Sequence, residues 1–254
     1  MSHRALRISR LFVFALAVVF ASPSFAYKHD FNQTYPLEPG GSFRLQNVNG
    51  TVNVQGWDRN EVEIRAVKTA REKLSDLDRV SIVVTAKPES VSVVTRYPQD
   101  EGVEVAVEYT IHVPYAAHLE HIGTVNGTLR VSGVDEIRDL QTVNGNIEVY
   151  EGGGTVHAKT TNGNVHLELA RFGHANEASA ETTNGSVLLA LAAGAQADLE
   201  ARCLNGDFRS ELPLELEGSL RPREVRGRLG NGGGPIRLRT VNGGIRVVAL
   251  RSSV

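Results

Sequence analysis

The stretch TVNGNIEVYEGGGTVHAKTTNGNVHLEL, residues 142–169, contains the same pattern twice. Thr-x-Asn-Gly returns after 18 positions, and each copy is followed by apolar residues at every second position. Self-similarity at a fixed period is the sequence signature of repeat architectures, in which one structural unit stacks on the next. These two copies therefore predict a stack of similar units.

The Asn-Gly dipeptide marks this repeat along the chain. It recurs at intervals of 77, 18, 18, 22, 21 and 37 residues, so the structural period is about 18 to 22 residues. The asparagines of this series are Asn49, Asn126, Asn144, Asn162, Asn184, Asn205 and Asn242.

Apolar residues occupy fixed positions after each of these asparagines. Positions three and five after the asparagine are apolar in nearly every copy, and a similar alternation precedes it. A period of two is typical of a strand with one buried face. The downstream pairs are Val52 and Val54, Leu129 and Val131, Ile147 and Val149, Val165 and Leu167, Val187 and Leu189, Phe208 and Ser210, Ile245 and Val247. Each repeat is therefore predicted to hold two short strands joined at a corner.

The Asn-Gly corner has two interpretations. Both residues readily take left-handed backbone angles, so the dipeptide can turn the chain sharply, and tight hairpins use it as well. A stack of coils also explains why the asparagine is repeated, because stacked side-chain amides can hydrogen-bond in a ladder. We therefore expect a parallel β-helix or solenoid, with the seven asparagines as a structural ladder and a hairpin meander as the alternative.

A second column lies two positions before each asparagine in the repeats. It consists of Thr124, Thr142, Thr160, Thr182, Cys203 and Thr240. Cys203 is the only cysteine, so no disulfide can form within the chain. Because free cysteine is usually buried, we expect Cys203 to pack inside a coil as the threonines do.

The region before the repeats is also rich in strands but lacks the period. The sequence predicts a hairpin around Pro88, a long strand that ends at Pro114, and a short helix in KTAREKLSDLDR, residues 68–79. We expect an all-β protein in which residues 27–120 cap a solenoid of residues 121–250, the two forming one continuous domain.

Residues 1–26 have the features of a secretory signal. Three arginines precede an apolar stretch at residues 11–21, and Ser24-Phe25-Ala26 provides a cleavage site, so Tyr27 is the predicted first mature residue. The apolar stretch is short for a membrane span, although an uncleaved anchor is the alternative. We therefore expect a periplasmic or secreted protein with no membrane span after cleavage.

The charge distribution bears on possible partners. The chain carries 27 Lys and Arg against 29 Asp and Glu, without a basic block, so nucleic acid is not a predicted partner. Charged residues instead recur in outward columns, such as Lys159 with Glu181 and Arg130 with Glu148. We expect these charges to pair across neighbouring coils.

Candidate reactive groups are few. His112, His118 and His121 are the nearest approach to a metal cluster, but His118 and His121 would face the same side of a strand only across a bulge. The glycine-rich residues 227–235 lack the Lys-Ser/Thr of a phosphate-binding loop. Trp57 is expected in the core or in a cap. No catalytic, cofactor-binding or metal-binding residue is predicted.

Several stretches together resemble a known family. NVNGTVNVQGWDRNEVEIRAVK, YTIHVP, TVNGTLRVSGV, TVNGNIEV, TTNGNVHL and TVNGGIRV, within residues 40–250, resemble the bacterial "putative adhesin" family of β-strand repeat-containing proteins, a domain of unknown function. The resemblance implies an exported β-solenoid and supplies no catalytic residues.

Two functions are consistent with this sequence. The favoured hypothesis is an exported, non-enzymatic, adhesin-like scaffold that binds a protein or glycan of the cell envelope. The alternative is a carbohydrate-active enzyme, a lyase or hydrolase, built on a β-helix.

Overall fold

The computed structural model describes residues 26–99, 102–217 and 223–250, so the predicted secretory signal lies outside the described residues except for Ala26. Within these ranges, no helix is long and apolar enough to cross a membrane. The elements are, in chain order, β1 (Tyr27–Pro36), β2 (Ser42–Gln46), β3 (Val52–Trp57), β4 (Glu61–Ala70), α1 (Asp76–Arg79), β5 (Ser81–Lys87), β6 (Ser90–Arg96), β7 (Val105–Pro114), β8 (His118–Gly123), β9 (Leu129–Ser132), β10 (Glu136–Gln141), β11 (Ile147–Gly153), β12 (Val156–Asn162), β13 (Val165–Arg171), β14 (Ala178–Asn184), β15 (Val187–Leu191), β16 (Ala197–Asn205), β17 (Phe208–Ser210), β18 (Glu215–Leu216), β19 (Glu224–Leu229), β20 (Gly234–Asn242) and β21 (Ile245–Ala249).

The strands form two long sheets that share one core. Sheet A has the order β1-β4-β7-β3-β9-β11-β13-β15-β21-β17, and sheet B has the order β18-β19-β16-β20-β14-β12-β10-β8-β2-β6-β5. The repeat strands pair in parallel with the strands of neighbouring coils. The predicted all-β, solenoid-like stack is therefore confirmed, and the hairpin meander is not the fold.

Each coil contributes one strand to each sheet. The coil of Asn162, for example, places β12 in sheet B and β13 in sheet A. In β13, Val165 and Leu167 are fully buried, whereas His166 and Glu168 face outward. Burial of one such aliphatic side chain stabilises the fold by about 1.5–3 kcal/mol. The apolar columns of the sequence are thus the continuous core of the stack.

The N-terminal strands extend both sheets beyond the first coil. β1, β4 and β7 are antiparallel neighbours in sheet A. β5 and β6 form an antiparallel hairpin in which Lys87 pairs with Ser90, which confirms the hairpin predicted around Pro88. The long strand predicted to end at Pro114 is β7.

The helix predicted at residues 68–79 is much shorter than expected. Strand β4 continues to Ala70, which is buried and paired with both Tyr27 and Val105, so this part of the pattern belongs to a sheet. Only the single turn α1 is helical, where Leu77 is buried. Sheet pairing on both sides of β4 has overridden the local helical spacing.

The last two coils stack in the reverse of their sequence order. β20 lies between β14 and β16, and β21 lies between β15 and β17. After the coil of Asn205, the chain runs back as β19, antiparallel to β16, and then returns as β20 on the other side of β16. The expectation that successive corners lie directly on one another is therefore wrong here, because the coil of Asn242 pairs with that of Asn184 and the coil of Asn205 lies beyond it.

The glycine-rich segment 227–235 accommodates this return. It joins β19 to β20 and packs closely against neighbouring backbone. A Cβ added to Gly233 would lie 2.6 Å from the carbonyl oxygen of Gln196, and one added to Gly234 would lie 2.4 Å from that of Asn176. Side chains at these positions would collide with main chain, so the glycines serve the chain path.

Candidate functional site

The seven predicted asparagines lie in one file along a single corner of the stack. Six hydrogen bonds of 2.7 to 2.9 Å join them, each from the Nδ2 of one asparagine to the Oδ1 of the next, in the order Asn205, Asn242, Asn184, Asn162, Asn144, Asn126 and Asn49. All but the half-buried Asn49 are exposed. An amide within the file therefore keeps one N–H and part of its oxygen for solvent or a partner.

The threonine column lies beneath this ladder and bonds between coils. The buried Thr182 hydroxyl donates to the carbonyl oxygen of Gly163 at 2.8 Å, and the hydroxyls of Thr160 and Thr240 make the equivalent bond at 2.9 and 2.8 Å. Cys203 occupies the same column and is buried, and this burial raises the pKa of its thiol. The column thus ties each corner to the next.

The corner glycines are required by the close approach of adjacent coils. A Cβ on Gly163 would lie 2.0 Å from the carbonyl oxygen of Gly145, and one on Gly185 would lie 2.0 Å from that of Gly163. No corner asparagine has a positive φ. The readiness of asparagine for left-handed angles is therefore not used at these corners, where its side chain serves the ladder while glycine allows the close contact.

An exposed apolar row runs beside the asparagine ladder. Val125, Val143 and Leu204 have exposed fractions of 38%, 40% and 43%. Each precedes a ladder asparagine, and the complete row is Val48, Val125, Val143, Thr161, Thr183, Val241 and Leu204 in spatial order. This row was missed from the sequence, although the position before every ladder asparagine is apolar or threonine.

The outer face of sheet B carries charges that pair between neighbouring strands. Lys159 Nζ lies 3.7 Å from Glu181 Oε2, and His121 Nδ1 lies 2.7 Å from Asp139 Oδ2. In the swapped coil order, Arg239 lies in register between Glu181 and Arg202. The column thus places opposite charges side by side from Lys159 to Arg239, whereas Arg239 and Arg202 are neighbours of like sign.

A bulge brings His118 and His121 to the same side of β8. The register with β2 shifts by one residue between them, and both side chains are half-buried on the outer face. Each contacts a different carboxylate, since His118 Nε2 lies 3.7 Å from Glu136 and His121 contacts Asp139. His112 lies on the other sheet. In the described part of the chain, no three His, Cys, Asp or Glu side chains group around a possible metal position.

Two aromatic clusters lie on the outer face of sheet A. In the first, Trp57 stacks on His112 with ring centres 5.0 Å apart, Arg59 lies 4.8 Å above the indole, and Trp57 Nε1 donates to the Glu61 carbonyl. Of the two expected places for Trp57, core or cap, the core is therefore wrong, because its position in β3 is an outward one. It is half-buried and held by these contacts.

The second cluster lies in the middle of the sheet. Arg130 Nε donates to Glu148 at 2.8 Å, the Tyr150 hydroxyl donates to the same carboxylate at 3.2 Å, and His166 meets the Tyr150 ring edge-on. His166 Nε2 also lies 3.1 Å from Glu168. The hydrogen bond to Glu148 raises the pKa of Arg130. The pKa of Tyr150 is also raised, mainly by burial and next by the negative charge of Glu148. This cluster thus joins two carboxylates, a guanidinium, a phenol and an imidazole on three neighbouring strands.

These features define a parallel β-solenoid whose coils are joined at one corner by stacked asparagines, threonines and glycines. The chain belongs to the Toastrack DUF4097 family, whose model matches residues 120–248. The family resemblance inferred from the sequence is thus confirmed. Among curated proteins, none matches this sequence.

Solved structures share the fold at low sequence identity. A "putative cell adhesion protein" from Clostridium sporogenes superposes with a TM-score of 0.52 at 12% identity, covering 87% of this chain and all of that one. A "putative adhesin" from Bacteroides fragilis gives 0.37 at 11% identity, covering 86% of this chain and 97% of that one. A "putative lipid binding protein" from Parabacteroides distasonis gives 0.30 at 10%, covering 90% and 98%. The first likeness supports the fold alone.

Proposed function

We propose that this chain is an exported, non-enzymatic, adhesin-like β-solenoid that acts as an envelope or secreted binding scaffold. Its partner is a protein or glycan of the cell envelope. The secretory pattern of residues 1–26 supports export, and the adhesion-related names of proteins with this fold support a binding role.

The observation that carries this proposal is the pairing of outward charges between neighbouring coils. Arg130 with Glu148 on sheet A, and Lys159 with Glu181 on sheet B, are ion pairs between adjacent rungs. Such pairs stabilise neighbouring strands and give long, regular polar faces. Extended faces of this kind favour the broad contact that a scaffold makes with a macromolecule. Most small substrates instead need an enclosed pocket.

Partner capture with face-specific variants tests this proposal. The mature chain from Tyr27 is immobilised and exposed to envelope extract and to a glycan array, with excess soluble chain as competitor. We expect a partner that the soluble chain displaces. Its binding should be weakened by at least one of three variants, which are the pair Arg130→Ser with Tyr150→Ser and the single Arg246→Ser on sheet A, and the pair Lys159→Ser with Glu181→Ser on sheet B. Binding that is reduced neither by these variants nor by the soluble competitor would contradict a specific binding face.

The second candidate function is cleavage of a polysaccharide on sheet A. The close grouping of Glu148, Tyr150, His166 and Glu168 favours it, since glycoside cleavage uses pairs of carboxylates. A screen of purified mature chain against polysaccharides decides the point. Turnover that is abolished by Glu148→Gln or Glu168→Gln would replace the scaffold proposal with this one.

Export has its own test. Cell fractionation followed by N-terminal sequencing should find the chain outside the cytoplasm with Tyr27 as its first residue. A chain that keeps residues 1–26 in the membrane fraction would instead support the uncleaved anchor.

A further inference from the structure

The outer face of sheet A contains a row of side chains that crosses many strands at one register. In this row, Arg130 of β9 is followed by Glu148, His166, Leu188, Arg246 and Arg209 on successive strands. The first basic residues of the row have acids close by, because Arg130 contacts Glu148 at 2.8 Å and His166 lies 3.1 Å from Glu168.

Arg246 and Arg209 break this pattern of compensation. They are direct register partners on β21 and β17, so their strands are about 4.8 Å apart. Arg209 has only Asp207 at 3.9 Å, and within the described ranges no acid lies within 4 Å of Arg246. Its other neighbour in the row is Leu188. Like charges directly opposite each other destabilise a sheet, and Asp207 compensates only one of these two arginines.

A groove lies at this arginine pair. It has a volume of about 590 Å³, within the range of small-ligand sites. Three corner glycines, Gly206, Gly243 and Gly244, line it and contribute no side chains, while Leu188 and Ser186 provide an apolar surface and a hydroxyl. Asp207 also lines the groove, and its side chain is 82% exposed. Two guanidinium groups can therefore approach one group placed in the groove.

We propose that this groove binds an acidic glycan through its carboxylate or sulfate groups. Guanidinium groups form paired, charge-assisted hydrogen bonds with planar oxyanions, and such a ligand would relieve the repulsion between Arg246 and Arg209. The groove is open on the sheet face, so a sugar chain can continue beyond the bound group. A nucleic acid would need many more cations than this pair. The inference deepens the proposed binding role and rests on it.

Arg239 provides a matched control for the same coil. It is exposed, lies on β20 and faces the opposite sheet surface, where its register neighbours are Glu181 and Arg202. Arg239→Ser therefore removes the same charge as Arg246→Ser without touching the groove.

Calorimetric titration of the mature chain tests the proposal. The acidic ligands are an oligogalacturonate and a sulfated heparin tetrasaccharide, and the comparison ligands are inorganic phosphate, inorganic sulfate and neutral maltotetraose. We expect at least one acidic oligosaccharide to bind, with affinity that falls as salt rises. Arg246→Ser should weaken it about tenfold or more, as loss of a charge-assisted bond implies, and Arg239→Ser less than about twofold.

A second measurement needs no ligand. Arg246→Ser should unfold at the same or a slightly higher temperature than the wild type at low salt, because it removes like-charge repulsion. A clear loss of stability would mean that Arg246 serves the fold and would overturn the strained-pair argument.

Three binding results would overturn the proposal. They are no binding of either acidic oligosaccharide, equal weakening by Arg246→Ser and Arg239→Ser, and free phosphate or sulfate binding as tightly as the oligosaccharides. If Arg246→Ser still captures the envelope partner, the groove inference fails while the scaffold proposal stands. If purified chain cleaves a glycan, the scaffold proposal fails whatever the groove binds.

Discussion

Thr182, Asn184 and Gly185 make three different contacts with the same neighbouring corner. The Thr182 hydroxyl donates to the Gly163 carbonyl at 2.8 Å, and Asn184 Nδ2 donates to Asn162 Oδ1 at 2.8 Å. Gly185 lies so close to Gly163 that a Cβ would be 2.0 Å from its oxygen. The recurring Thr-x-Asn-Gly is therefore a set of contacts between coils and more than a local turn.

Replacement of Thr182 by valine tests the threonine contact. The substitution keeps the side-chain shape but leaves the Gly163 carbonyl without its hydroxyl donor, so we expect a loss of about 1–3 kcal/mol in unfolding free energy. Thr183→Val is the control, since Thr183 is exposed, and should change stability by no more than about 0.5 kcal/mol. Denaturant unfolding measures both, and equal losses would argue against the buried bond.

Tyr97 gives the N-terminal region a predictable response to alkaline pH. Its hydroxyl donates to the Val105 carbonyl at 3.1 Å, and burial raises the pKa of Tyr97 from 10.0 to about 12. The folded state thus favours the neutral phenol. The stability that the neutral phenol adds to the fold is fully present below pH 10, and it is lost as the pH rises from 10 towards about 12.

Tyr97→Phe should therefore flatten the fall in stability over that pH range. Some slope should remain, because burial also raises the pKa of Tyr109. Urea unfolding at a series of alkaline pH values makes the comparison. Identical slopes for the variant and the wild type would contradict the buried, neutral state of Tyr97.

At the level of elements, the asparagine ladder joins strands that belong to different coils. Asn162 donates to Asn144 and accepts from Asn184, each at 2.8 Å. Because these amides are exposed, each bond competes with water and contributes modestly. The buried threonine bonds and the apolar columns therefore stabilise the stack more than the ladder does, whereas the ladder helps to fix the register of one corner on the next.

A double-mutant cycle tests whether the ladder acts between neighbours. Asn162→Ala alone should cost about 1 kcal/mol. Asn144→Ala with Asn162→Ala should cost less than the sum of the single losses, because the two residues share one bond. Asn126→Ala with Asn184→Ala should be additive within about 0.5 kcal/mol, since these residues share neither a bond nor a partner. Additivity in both cycles would contradict a continuous ladder.

The sequence was informative about elements wherever the repeat was regular. The alternation at Val165 and Leu167 predicted the buried face of β13, and Asn162-Gly163 predicted its corner. The order of the last two coils was not predicted, because the Asn-Gly corners at Asn205 and Asn242 mark the coils without giving their order in the stack. The helical spacing that includes Ala70 was misleading because two neighbouring strands pair with β4.

The candidate surfaces were less predictable than the fold. A strand pattern shows that Trp57 alternates with buried residues, but not that His112 and Arg59 cover it from other positions. Arg209 and Arg246 each lie four residues after a ladder asparagine, so they belong to the same repeat column as Arg130. Their opposition was missed because this column was not followed to the last two coils.

At the scale of the whole molecule, the stack is a single core with different ends. The N-terminal end is extended by antiparallel strands in both sheets, and at the other end β18 and β19 extend sheet B alone. Between them, the corner backbones of successive coils are almost in contact, as the space beside Gly163 shows. The tight stacking of coils at this corner is the central claim of the present account.

A comparison of the unfolding free energies of two separate variants, Gly163→Ala and Gly173→Ala, tests that claim most directly. An added methyl at Gly163 would meet the Gly145 carbonyl oxygen at 2.0 Å, whereas the nearest atom at Gly173 is 3.8 Å away. Denaturant titration should show a loss of about 3 kcal/mol or more for Gly163→Ala, or no folded protein, and a change within about 1 kcal/mol for Gly173→Ala. Equal stability of the two variants would mean that the corners do not touch, and would contradict the stack.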